Sequence, residues 1–153
     1  MKTLLLIILF SPIKAFCPPA IMTQQDIIKA WEFNFLMQPF SPECLKTALE
    51  IFVDKPAIAF AQVILETGNF TSAIYLENNN LFGMKLAKCR VTTAIGENRH
   101  SAVYRSWFDS LIDYKLWQEY WKEHGYNSDE MLTIYCPDKD YSSKIYYLCN
   151  AIQ

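Results

Sequence analysis

Apolar residues recur at helical spacing through most of the chain after its first two dozen positions. Ile27, Ile28, Trp31 and Phe35 fall on one helical face, and Thr23 with Asp26 resembles a capping pair at its start. Ser41-Pro42-Glu43 joins an N-cap hydroxyl to a proline in the first turn, and Leu45, Ala48, Leu49 and Phe52 continue as a stripe. Pro56 opens a third predicted helix over 57–67, which Gly68 stops. Residues 78–85 read as a loop, three asparagines followed by Leu81-Phe82-Gly83. The β-branched run at 90–95 predicts a strand, 96–100 a turn, and 102–104 the returning partner. Ser106 with Asp109 caps a long helix that runs to His124 and closes at Gly125, with Tyr114, Trp117 and Trp121 on one face. Shorter helices follow at 128–135 and 140–152. The fold class this predicts is mainly α (α+β), a helical domain with one small β-hairpin.

The start of the chain has a different pattern. Met1-Lys2-Thr3 leads into the short apolar run Leu4-Leu5-Leu6-Ile7-Ile8-Leu9-Phe10, which Ser11-Pro12 breaks before the small residue Ala15. This reads as a secretory signal peptide over 1–15, with 16–153 as a single domain. A bilayer span needs about 20 apolar residues, so no integral membrane segment is expected in the mature chain. The bulky Phe16 before Cys17 argues against lipid attachment at that cysteine. Export places Cys44, Cys89, Cys136 and Cys149 where thiols oxidise, with Cys17 the odd one of five, and their pairing is not legible.

Composition narrows the function. With 153 residues, 52% of them hydrophobic, the chain can bury one substantial core, which excludes a disordered tail. Lys and Arg number 14 against 16 Asp and Glu, with no basic run, so phosphate-neutralising nucleic-acid binding has no basis. Two histidines and no C-x-x-C pair leave no metal or cofactor expected.

Glu66 is the informative residue. Between 57 and 66 the only polar side chains are Gln62 and Glu66, four residues apart and therefore on one face of a helix that is otherwise apolar all round. An unpaired carboxylate in such surroundings keeps its proton, and the negative end of the helix dipole acts in the same direction. A carboxyl protonated near neutrality can serve as a general acid; the plain alternative is a buried Glu paired with a cation.

The segment Ala61-Gln62-Val63-Ile64-Leu65-Glu66-Thr67-Gly68-Asn69-Phe70-Thr71-Ser72, followed by Asn79-Asn80-Leu81-Phe82-Gly83-Met84-Lys85, resembles the glucosaminidase family of secreted peptidoglycan hydrolases, also named mannosyl-glycoprotein endo-β-N-acetylglucosaminidase-like domains. The stretches 102–114 and 135–141 resemble the segment after that family's hairpin and its C-terminal signature. The resemblance implies a lysozyme-like fold and cleavage of β-1,4-linked N-acetylglucosaminyl bonds in bacterial cell wall. It also implies a monomer acting on peptidoglycan glycan strands in a secreted or periplasmic setting. Its general acid falls on Glu66. Its second carboxylate lies on the hairpin, where Glu97 is the sole acidic residue between Lys85 and Trp107.

Two mechanisms stay open on this reading. If Glu97 reaches the cleft it activates water, a carboxyl separation of roughly 6.5–9.5 Å predicting inversion and about 5–5.5 Å retention. If Glu97 stays in solvent, the substrate's own N-acetyl oxygen is the nucleophile. Asn80 and Phe82 are candidates for binding an acetamido group and stacking on a sugar ring, or else a backbone brace and a core plug. Gln62 shares the Glu66 face, and Tyr104, Tyr135 and Tyr141 have flat faces and hydroxyls suited to sugars, with Tyr141 the preferred cleft tyrosine by resemblance. Ser110, Asp113 and Trp117 read as interhelix hydrogen bonding and packing, and His100 and His124 as exposed. Asn69-Phe70-Thr71 is formally a glycosylation acceptor beside Glu66, where a glycan would obstruct the cleft, so a bacterial or bacteriophage source fits better. The competing class is a non-catalytic wall-binding or partner-binding module on the same fold.

Overall fold

The computed structural model describes residues 39–152. The expected signal peptide, Cys17 and the first predicted helix lie outside the described residues. Six helices and one two-stranded antiparallel sheet follow in the order α1 (Pro42–Phe52), α2 (Pro56–Glu66), α3 (Ala73–Asn78), β1 (Gly96–Asn98), β2 (Ser101–Val103), α4 (Trp107–Glu123), α5 (Ser128–Tyr135) and α6 (Lys139–Ile152). The architecture is mainly α and lysozyme-like, with a small hairpin.

Local chemistry sets the helix starts. The Ser41 hydroxyl accepts from Cys44 N at 3.1 Å, with Pro42 in the first turn, and Ser106 accepts from Asp109 N at 3.1 Å. Asn127 and Glu130 close a reciprocal capping box at α5. At α6 the Asp138 side chain takes Asp140 N and its carbonyl takes Tyr141 N, both at 3.0 Å, which fixes where Tyr141 enters the core.

Helix α2 is the centre of the domain. Ala59 through Val63 are buried without a break, so no side of this stretch faces solvent. Its most extensive partner is α6, and α1 covers another side. Ala61 packs with Leu132, Tyr141 and Ile145, joining α2 to α5 and α6. Thr67 ends the helix, its hydroxyl donating to Val63 O (2.7 Å) and accepting from Phe70 N (2.8 Å). Gly68, Asn69 and Phe70 then all take left-handed backbone, at φ 54°, 56° and 66°. Such conformations are costly for residues with a Cβ. The Phe70 ring offsets this by packing on Phe40 and Tyr75, with centroids 5.1 and 6.0 Å away.

The hairpin departs from expectation by several residues. Its strands pair Gly96 with Val103, Glu97 with Ala102 and Asn98 with Ser101. Arg99 and His100 form the turn, both at positive φ (52° and 59°), as a two-residue hairpin connection requires. The predicted strand at 90–95 is not part of this sheet, although Ile95 N extends the ladder by donating to Val103 O at 2.9 Å. The β-branched run is tied to α4 instead: Thr93 Oγ1 donates to Asp109 O at 2.6 Å, and Arg90 grips Asp113. Residues 73–78 form the short helix α3, which starts where the Ser72 hydroxyl accepts from Tyr75 N at 3.2 Å.

Three consecutive asparagines hold the hairpin in place. Asn78 and Asn98 exchange hydrogen bonds at 3.1 and 2.9 Å, and Asn79 donates to Tyr104 O at 3.1 Å. Asn80 donates to both Met84 O (2.8 Å) and Ala102 O (2.9 Å) while accepting from Met84 N (3.0 Å). Among the described residues, Cys89, Cys136 and Cys149 are free cysteines, and no helix is long and apolar enough to cross a membrane.

Arg90 and Asp113 form a bidentate pair, Nη1 to Oδ1 at 2.8 Å and Nη2 to Oδ2 at 2.9 Å, with the Asp113 side chain fully buried. Tyr104 Oη adds a third bond to Oδ2 at 2.8 Å. Burial would push the Asp113 carboxyl up, but Arg90, Thr92 and Tyr104 together hold it below the usual aspartate range. Removing one partner of a buried pair strands the other, so Arg90→Ala is expected to cost about 3 kcal/mol in urea denaturation. Because the folded pKa is the lower one, the stability from Asp113 is complete above the unfolded value. It is lost as pH falls through the folded value, and Asp113→Asn should flatten that acid limb.

Candidate active site

Glu66 ends α2 at the edge of a cleft of about 500 Å³. The walls come from Gly83 through Ala87, Arg90, Trp117 on α4, and Ile134, Tyr135 and Cys136 at the end of α5. The carboxyl is half-buried, and Tyr141 Oη donates to its Oε1 at 2.8 Å. Burial pushes the Glu66 pKa above the usual carboxylate range, and the Tyr141 hydrogen bond opposes this only in part. No cation pairs with Glu66 among the described residues. Arg90 and Lys85 share the cleft, but Arg90 is committed to Asp113.

Gly83 lies directly on the carboxyl. Its φ is +62°, and a Cβ built there would sit 2.8 Å from Glu66 Oε2. The cleft wall therefore approaches the acid as backbone alone, a closeness that any side chain would prevent. This role escapes sequence reasoning, which supplies Gly83 only as part of a motif. The signal was present: a glycine directly after the apolar pair Leu81-Phe82 in a loop marks a close backbone approach.

The remaining predicted residues divide by depth. Tyr141 and Tyr135 are at the site, Tyr141 through its bond to Glu66 and Tyr135 in the cleft wall, with their rings stacked at 5.9 Å. Gln62 is 1% exposed and cannot touch a ligand; its amide joins Tyr114 to Tyr141. Asn80, also 1% exposed, is the backbone brace described above and not an acetamido contact. Phe82 is fully buried and stacks on Tyr114 with centroids 4.0 Å apart, so it plugs the core and offers no face to a sugar. Tyr104 is sealed in with its hydroxyl on Asp113. Glu97 is exposed on β1 opposite Ala102 and does not line the Glu66 cleft.

Ser110 and Asp113 do form hydrogen bonds, but to loop segments and not to another helix: Ser110 Oγ accepts from Leu81 N at 3.0 Å. Trp117, read from sequence as packing, also borders the cleft and meets Tyr135 edge-on at 5.4 Å. His100 and His124 are exposed. The site is thus one half-buried carboxyl, its pKa raised by burial, in a groove with Trp117 and Tyr135 in its wall, an arrangement suited to donating a proton to a bound polar polymer.

A comparison of glycines isolates the contact on Glu66. Gly125 also has positive φ (+87°), but nothing lies within 4 Å of its would-be Cβ. Gly125→Ala should then cost only the backbone strain, about 1–2 kcal/mol. Gly83→Ala should cost measurably more in the same urea titrations, the excess reporting the collision with Oε2.

Compared with known families, the chain matches the one described as Glucosaminidase (mannosyl-glycoprotein endo-beta-N-acetylglucosaminidase) over residues 44–153, more than half of its length. Searches of curated proteins and of solved structures returned no match. With the matched region spanning α2, the cleft loop and α6, the chain belongs to the glucosaminidase family, a glycosidase-type family of peptidoglycan hydrolases.

Proposed function

We propose that this chain is a secreted peptidoglycan hydrolase that cleaves β-1,4 bonds of N-acetylglucosamine in the glycan strands of bacterial cell wall, with Glu66 as the general acid. One observation carries the reading: a half-buried carboxyl, raised in pKa by burial and unpaired with any cation among the described residues, opens onto a groove in a chain of a glycan-cleaving family.

The catalytic sequence uses one protein carboxyl. Glu66 passes its proton to the glycosidic oxygen as the bond from that oxygen to the sugar C1 breaks. With Glu97 exposed and outside the cleft lining, the acetamido carbonyl oxygen of the substrate adds to C1 and holds the developing positive charge. Water, deprotonated by the Glu66 carboxylate, then opens that ring and leaves a new reducing end with retained configuration. Tyr135 and Trp117 present ring surface to the sugar along the cleft wall.

Glu66→Gln is expected to lower lysis of purified cell wall by about 10²- to 10⁴-fold with an unchanged melting temperature. Glu97→Gln should stay within a few-fold of the parent; a loss matching that of Glu66→Gln would restore the two-carboxylate mechanism. Mass spectrometry of the released fragments should find GlcNAc at the new reducing end. Muropeptide binding with no reducing-end release by the unmutated chain would instead identify a binding module.

The pH profile has a fixed sign. Glu66 must be protonated to act, and its pKa lies above the ordinary glutamate value. The kcat/KM on soluble glycan fragments should therefore be flat at low pH and fall as pH rises through that elevated value.

A further inference from the structure

Behind Glu66 a line of polar side chains runs into the core. Tyr114 Oη donates to Gln62 Oε1 at 2.5 Å, Gln62 Nε2 donates to Tyr141 Oη at 3.4 Å, and Tyr141 Oη donates to Glu66 Oε1 at 2.8 Å. The direction of this line is set at its buried end. A tyrosine hydroxyl has a single proton, and Tyr114 directs its own at the amide oxygen. The amide nitrogen must then face Tyr141, whose oxygen accepts from it, so the Tyr141 proton is left for Glu66. Burial pushes both tyrosines far above the usual range, so they remain neutral donors throughout.

We infer that Tyr114 and Gln62 are positioning residues which, acting through Tyr141, confine the transferable proton of Glu66 to Oε2. Accepting from Tyr141 makes Oε1 the preferred carbonyl oxygen, and the carboxyl proton is driven to the other one. Oε2 is the one beside Gly83, in the cleft wall, where backbone alone covers it. The buried relay thus turns a carboxyl with two equivalent oxygens into an acid with one working face. Phe82, stacked on Tyr114 at 4.0 Å, and Trp117, stacked on it at 5.5 Å, hold the origin of the line still. The titratable and charged groups around Glu66 among the described residues are Tyr141 on α6, Tyr135 on α5, and Lys85 and Arg90 on the cleft loop.

The proposal rests on Glu66 being the general acid, and its test separates the two ideas. The Glu66 carboxyl is titrated by NMR in the full chain carrying ¹³Cδ-glutamate, its resonance assigned by its loss in Glu66→Gln. Tyr141→Phe removes the bond that favours the carboxylate and raises the Glu66 pKa. Tyr114→Phe, which deletes a hydroxyl with no contact to Glu66, is expected to shift it the same way by about half a pH unit. The double variant should match Tyr141→Phe alone, because Tyr114 acts only through Tyr141. If Tyr114→Phe does not fold, Gln62→Met carries the same expectation. The alkaline limb of cell-wall hydrolysis should move with the titration. An unmoved Glu66 pKa in Tyr114→Phe, or shifts that simply add in the double variant, overturns the relay even where hydrolysis is normal. The expected shifts in a chain that releases no reducing ends support the relay and defeat the catalytic reading alone.

Discussion

A helix whose middle, Ala59 through Val63, is buried on every side leaves its polar side chains little water to turn to. That constraint organises this domain. Gln62 and Glu66 are the polar members of an otherwise apolar stretch of α2, and each must find its partners on neighbouring helices. Gln62 is satisfied from α4 and α6 at once, so a single amide fixes the positions of Tyr114 and Tyr141 relative to each other. Glu66, one turn further on at the cleft edge, has the Tyr141 hydroxyl on Oε1 and the Gly83 backbone beside Oε2. The same need for polar satisfaction that specifies the packing also leaves one group incompletely solvated.

Polar satisfaction recurs away from α2. The hairpin strands are three residues long, too short to persist alone. The asparagine run supplements that short ladder by donating to the backbone carbonyls of Asn98, Ala102 and Tyr104. On the opposite flank, the bidentate Arg90–Asp113 pair anchors the irregular segment before the hairpin to α4. The walls of the cleft thus come from a loop held at both ends, and a loop so held can present backbone within contact distance of a carboxyl.

Helix starts were legible in the sequence because caps are local: Ser41, Ser106 and the turns ahead of α5 and α6 depend on residues within one turn of each other. The central helix and its acid were legible because burial and periodicity leave the same mark. The hairpin boundary was not, since β-branched residues at 91–93 suit a strand and a segment laid against a helix equally well. Among the candidate ligand contacts, Asn80, Phe82, Tyr104 and Gln62 face inward. Residue type shows that a side chain can bond or stack, but whether it does so with a ligand or with its own protein depends on contacts 20 to 80 positions away in the chain. Gly83 was hidden for the converse reason: its contribution is the absence of a side chain.

The three left-handed residues directly after α2 carry one more implication. Gly68, Asn69 and Phe70 turn the chain directly after the helix, and the amides that follow return to its last carbonyls, Gly68 N to Leu65 O at 3.3 Å and Asn69 N to Ile64 O at 2.9 Å. A helix end tied in this way resists fraying, and the acid on its last turn is held at a fixed distance from the wall opposite.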